Sequence, residues 1–119
     1  MSIARSQLSR ESLRGATTGR RLAPVHPGEV LMKDFIEPMG ITRYRVAKAI
    51  GVQQRRVDLI CLGERNVTPE TAIRLGLAFG IEPQFWLNLQ AQFDLETIQR
   101  EQGEQLAELV TRLPEAAAA

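Results

Sequence analysis

The sequence predicts an all-α domain of five helices with a C-terminal helical extension. Three observations predict it. No stretch alternates apolar and polar residues with the period of two that a half-buried strand needs. Helix starts and stops punctuate the chain at Pro27, Thr42, Gly63, Thr68-Pro69, Gly80 and Pro83. The stretch from Thr42 to Cys61, TRYRVAKAIGVQQRRVDLIC, reads as two short helices joined by a tight turn. Ala47 is the small residue where the helices approach. Gly51 is the turn residue that tolerates positive φ, and Val46, Ile50, Val52, Val57 and Ile60 form an apolar inner face.

The elements follow in order. Residues 1–25 are rich in Ser, Thr, Arg and Gly and form a flexible basic arm, which either touches phosphates or is a solvated tail. The first helix starts at Pro27, whose fixed φ suits a first turn, with Glu29 favourably placed at the positive end of the dipole. Val30, Leu31, Phe35 and Ile36 give its buried face, and Pro38 stops it. The second helix is capped by Thr42 and runs to Ile50; the third runs from about Gln53 to Leu62, before Gly63. Thr68-Pro69-Glu70 opens the fourth, with Ala72, Ile73, Leu75, Ala78 and Phe79 facing inward. Pro83 opens the fifth, where Phe85, Trp86, Leu89 and Phe93 carry the apolar mass as core rather than ligand site.

Beyond Phe93 the apolar residues thin to a stripe of Leu95, Ile98, Leu106, Leu109, Val110 and Leu113, the last four at helical spacing. Such a stripe is too narrow for a deep core and suits a dimer or partner interface. Gly103 is a place where this helix could split, and Ala116–Ala119 is a frayed tail. The organisation is therefore an arm at 1–25, a helix-turn-helix domain at 26–94, and a helical extension with its tail at 95–119.

Composition bounds the function. At 119 residues, 44% hydrophobic and 24% charged, the chain fits one soluble globular domain. No apolar run approaches the roughly 18 residues of a membrane span, and no secretory h-region is present. Cys61 is the only cysteine, so no internal disulfide can form, and a reducing cytoplasm is the natural compartment. The net charge of +1 hides an asymmetry: +4 over residues 1–25, +2 over 26–67 and −5 over 68–119. A basic front and an acidic back imply different partners. Enzymatic readings fare badly. His26 reads as a cap or linker residue and Cys61 as a structural thiol; together they cannot form a zinc tetrad, and no cofactor or metal is expected.

The chemistry sits on the third helix. With Val57 and Ile60 inward, Gln54, Arg55 and Asp58 lie on the outer side, and Leu59 lies near its edge. An α-helix fits the DNA major groove, where Gln pairs bidentately with adenine and Arg with guanine. Gln54 and Arg55 are the first candidates to read bases. Arg56 reaches a base or a phosphate, Asp58 accepts from cytosine or orients Arg55, and Leu59 touches a thymine methyl group. Arg43, at a helix N-terminus, and Gln53, Arg65 and Asn66, flanking the third helix, are candidate phosphate contacts.

The segments HPGEVLMKDFIEPMGITRYRVAKAIGV and RRVDLICLGERNVTPETAIRLGLAFGIEPQFWLNLQAQFDLE resemble the HigA-type antitoxins of the Xre-like, phage-repressor-like helix-turn-helix superfamily. The resemblance runs from His26 to Glu96. The HPGE opening, the EPMG turn, the TPETAIRL helix start and the FWLNLQ segment carry it. It implies an Xre-like all-α domain, a homodimer, and binding of double-stranded DNA at a palindromic operator in its own promoter. It also implies a HigB-type toxin partner, a ribosome-dependent endoribonuclease. By motif position, base reading falls on Gln54 and Arg55 with Arg56 beside them, and phosphate contact on Arg43 and Arg65. The chain departs from the pattern at Leu62 (commonly Asn), Gln53 (Ser, Thr or Pro) and Glu82 (Ser). The reading is an autoregulating repressor and antitoxin; the alternative is an Xre-family regulator without a toxin partner.

Overall fold

The computed structural model describes residues 23–114. The arm at 1–25, save its last three residues, and the tail at Ala116–Ala119 lie outside the described residues. Five helices and no strand are found among those described.

The first, α1, has three joined parts: an α-helical turn Pro27–Val30, a π-helical stretch Leu31–Ile36 and a last turn Glu37–Met39. His26 caps it, its Nδ1 accepting from the Gly28 amide at 2.9 Å. Gly28 is required by a close approach: a Cβ there would lie 1.6 Å from the Ile60 carbonyl oxygen. Contrary to the sequence expectation, Pro38 does not stop this helix; the chain stays helical to Met39 and ends at Gly40. In α geometry the Pro38 ring would meet the carbonyl four residues back. The wider π turns relieve that clash, with the Glu37 amide reaching back five residues to the Met32 carbonyl.

Helix α2, Arg43–Ile50, is capped by Thr42, whose Oγ1 accepts from the Arg45 amide at 3.0 Å. It buries Val46, Ala47 and Ile50 and ends at Gly51 with φ +75°, the left-handed turn the motif needs. Helix α3, Gln54–Cys61, buries Val57 and Ile60. Helix α4, Pro69–Phe79, is capped by Thr68 and packs on both α2 and the last helix. Its inner face is Thr71, Ala72, Leu75 and Gly76, with Phe79 half-buried; Ile73 and Ala78, expected inside, are exposed. Gly76 sets this rotation, since its missing Cβ would stand 2.5 Å from the Ile81 carbonyl oxygen.

Helix α5, Pro83–Leu109, is one unbroken element of 27 residues, about 40 Å at ~1.5 Å rise per residue. It runs through position 94 to 95 and through Gly103 without a break. Trp86 is fully buried against Phe35, Phe79 and Phe85, with the Phe35–Trp86 and Phe85–Trp86 centroids 5.2 and 5.0 Å apart. The aromatic cluster is core, as its composition predicts. After Phe93 the helix carries no buried residue and projects from the body.

Candidate nucleic-acid interface

Three constraints aim α3. Val57 and Ile60 root it in the core, each 1% exposed. Gly28 lets α1 press on its C-terminal carbonyl. Arg74 of α4 donates to the carbonyls of Ile50 at 2.6 Å and Gly51 at 3.4 Å, holding the turn that precedes it. The opposite face of α3 is left to solvent.

On that face Gln53, Gln54 and Arg55 are exposed, and Asp58 and Leu59 are half-exposed. Gln53 occupies the N-cap position without a side-chain cap bond, as its departure from Ser, Thr or Pro implies. Arg55 makes no hydrogen bond or ion pair with another described residue. Asp58 does not orient Arg55. Its Oδ1 stands 3.3 Å from Arg43 Nε and 3.5 Å from Gln54 Nε2, so it joins α2 to α3 through Arg43 and steadies Gln54 instead. Spacing alone would allow either partner, since residues three and four apart both neighbour Asp58 on the helix surface; Arg43, delivered by α2, and Gln54 occupy its carboxylate.

Arg56 departs from the outward run. It is half-buried and turned toward α4, where Nη1 meets Glu70 Oε1 at 3.3 Å. Glu70 Oε2 also accepts from two nitrogens of Arg74, Nε at 3.1 Å and Nη2 at 2.9 Å. The hydrogen-bonded Arg74 guanidinium holds the exposed Glu70 carboxyl below the usual range, with Arg56 adding to it. Glu70 and Arg74 escaped sequence reasoning. Their i, i+4 spacing was visible; the reach of Arg74 to Ile50, across 24 residues, was not.

Arg65 and Asn66 are exposed in the loop after α3. Gln90, buried on α5, anchors the end of that loop: its Oε1 accepts from the Val67 amide at 2.7 Å, and its Nε2 donates to Asp94 at 3.0 Å. Nothing in sequence marked Gln90 for this. His26 lies beneath the same loop, edge-on to Phe93 with centroids 4.9 Å apart. Burial holds its imidazole below the usual value, more than the nearby Asn66, Asp94 and Glu29 raise it. Burial also pushes the Cys61 thiol up to about 11, which suits packing rather than nucleophilic work.

The apolar stripe divides. Leu95, Ile98, Leu106 and Leu109 are exposed on the projecting part of α5. Val110 and Leu113 are exposed too, but they lie beyond the helix and do not continue its spacing. Val110 is extended at φ −104° and ψ 130°. Pro114 keeps Leu113 out of the α region, and β-branched Val110 and Thr111 favour extended chain.

Among the described residues no cluster of His, Cys, Asp or Glu could hold a metal ion. No helix there is long and apolar enough to cross a membrane.

Residues 32–86 match the family described as helix-turn-helix. The antitoxin HigA-1 of Vibrio cholerae is 44% identical over 72 residues, which cover 60% of this chain and 68% of that protein. The Pseudomonas aeruginosa antitoxin HigA, solved with the higBA promoter, is 34% identical with a TM-score of 0.74, over 76% of this chain and 99% of that one. The antitoxin GraA, solved in complex with its operator, is 36% identical with a TM-score of 0.74, over 78% of this chain and 94% of that one. A short helix rooted by two buried residues, a left-handed glycine turn and a solvent-exposed polar face are thus joined to sequence likeness spanning most of the described chain. The chain belongs to the helix-turn-helix family that contains the HigA-type antitoxins.

Proposed function

We propose that the protein is a sequence-specific DNA-binding repressor that acts as a homodimer and as the antitoxin of a HigB/HigA-type pair. One observation carries the DNA reading. Gln54 and Arg55 stand side by side on the exposed face of α3, and Arg55 has no protein partner among the described residues. Gln and Arg are the side chains that pair bidentately with adenine and guanine in the major groove. The relatives solved with a promoter and with an operator support the same reading.

In this mechanism Gln54 and Arg55 read base edges, and Leu59 lies where a thymine methyl group would pass. Arg43, Arg65, Asn66 and Gln53 contact phosphates and fix the register. Asp58 acts by steadying Gln54 and Arg43. Two copies of α3 enter successive major grooves about 34–36 Å apart, and the bound dimer blocks polymerase. Leu95, Ile98, Leu106 and Leu109, with Val110 and Leu113 beyond the helix, supply the dimer or toxin contact. The protein binds rather than catalyses, since its thiol and its imidazole are both committed to packing.

The test is a mobility-shift titration on the DNA preceding its own reading frame, against a scrambled duplex of equal composition, at several salt concentrations. Tighter binding to its own upstream DNA, weakening as salt rises, supports the reading. Equal binding to both duplexes, or none, ends it.

A further inference from the structure

The Glu70 network sits against the first turn of α3, the end of a recognition helix that meets base edges. Its two contacts are unequal. Arg74 holds Oε2 through two nitrogens at 3.1 and 2.9 Å and is itself anchored on the Ile50 carbonyl at 2.6 Å. Arg56 holds Oε1 through one nitrogen at 3.3 Å. When Arg56 leaves, Glu70 keeps Arg74 on Oε2 and its exposed Oε1 turns to water, so the charge is not stranded. The Arg56–Glu70 pair is also partly solvated, with the carboxylate 60% exposed, so little holds it closed.

We propose that Glu70 is a specificity-determining residue. It keeps Arg56 on the protein when α3 lies on arbitrary duplex, and yields Arg56 to a phosphate oxygen when the helix is seated in its site. The exchange moves no proton: one guanidinium trades a carboxylate for a phosphodiester. It rests on the DNA-binding reading above. A free Arg56 would pair with phosphates in any register and strengthen binding to all DNA alike. A tethered Arg56 is gained only where the first turn of α3 comes close enough for the phosphate to outcompete Glu70. The acid therefore widens the gap between specific and non-specific binding, because each phosphate contact contributes to both unless something withholds it.

The experiment uses the full chain and two probes: a duplex that the protein enriches from a randomised pool, and a scramble of that duplex. Affinity is measured against salt for the wild type, Glu70→Gln and Arg56→Gln. Glu70→Gln is expected to tighten the scrambled duplex a few-fold and steepen its salt slope by about one, leaving the slope on the enriched duplex unchanged. Arg56→Gln is expected to flatten the slope on the enriched duplex by about one and leave the scrambled slope unchanged. Should Glu70→Gln fail to fold, Arg56→Gln decides alone. Equal changes of slope on both duplexes, or no change on either, overturn the proposal and leave Glu70 a static brace. A pool that yields no enriched duplex removes the DNA-binding reading, and the proposal falls with it.

Discussion

Arg74 Nη1 donates to the Ile50 carbonyl oxygen across 2.6 Å, tying α4 to the last turn of α2. The last carbonyls of a helix have no partner within it. Arg74 supplies one from 24 residues away, and the same guanidinium grips Glu70. The turn at Gly51 is therefore held by a side chain outside the two-helix motif, so the angle of α3 depends on α4.

Arg74→Leu should destabilise the fold by about 1.5–3 kcal/mol, the usual range for a hydrogen bond to a charged group. Urea unfolding measures it. An unchanged midpoint would make the contact incidental.

Gly28→Ala should cost more. Its Cβ would stand 1.6 Å from the Ile60 carbonyl oxygen, with no flexible side chain to yield. Overpacking of this kind costs about 1–3 kcal/mol, and here the top of that range or beyond is expected. A loss under about half a kcal/mol, the level of an ordinary surface change, would show that α1 and α3 separate easily.

His26 gives a pH prediction. Burial lowers its folded-state pKa below the usual 6.5, so the unfolded chain binds the proton more tightly. Its contribution is fully present above the unfolded value. It is lost as pH falls from there through the folded value, and is level below that. His26→Asn keeps a capping oxygen and removes the titration. The variant should show a flatter dependence of stability on pH below about 6.5. Since His26 is the one histidine of the chain, its proton resonances follow the titration directly. A midpoint at or above 6.5 in the folded protein would reverse the sign.

Ile98→Asp with Leu109→Asp should convert dimers to monomers if the projecting part of α5 is the interface. Both residues are exposed, so the body should keep its melting temperature. Light scattering that still reports a dimer would move the interface elsewhere.

What was legible in the sequence was local. Thr42 and Thr68 announce their helices because each hydroxyl bonds an amide three residues on. Gly51 announces its turn because a side chain is strained there. The helical period places Gln54 and Arg55 outward with no knowledge of the rest. What stayed hidden was decided by distant partners. Arg56 reads as outward until Glu70, 14 residues later, is brought beside it. Asp58 reads as a partner of Arg55 until α2 delivers Arg43. Pro38 reads as a stop because the π turns that accommodate it have no sequence mark. Gly103 reads as a break, but one glycine costs a helix only about 1 kcal/mol, too little to end α5. Ile73 reads as core because its apolarity does not reveal the rotation that Gly76 imposes on α4.

Whether the exposed face of α3 reads base edges is decided by enrichment from a randomised duplex pool. The wild type is predicted to select a palindrome with half-sites about one helical turn apart. Arg55→Ala is predicted to lose about 1–3 kcal/mol on that duplex and to relax its preference at one symmetry-related base position only. An identical preference and affinity in the variant, or a pool with no enriched sequence for the wild type, would contradict base reading by α3.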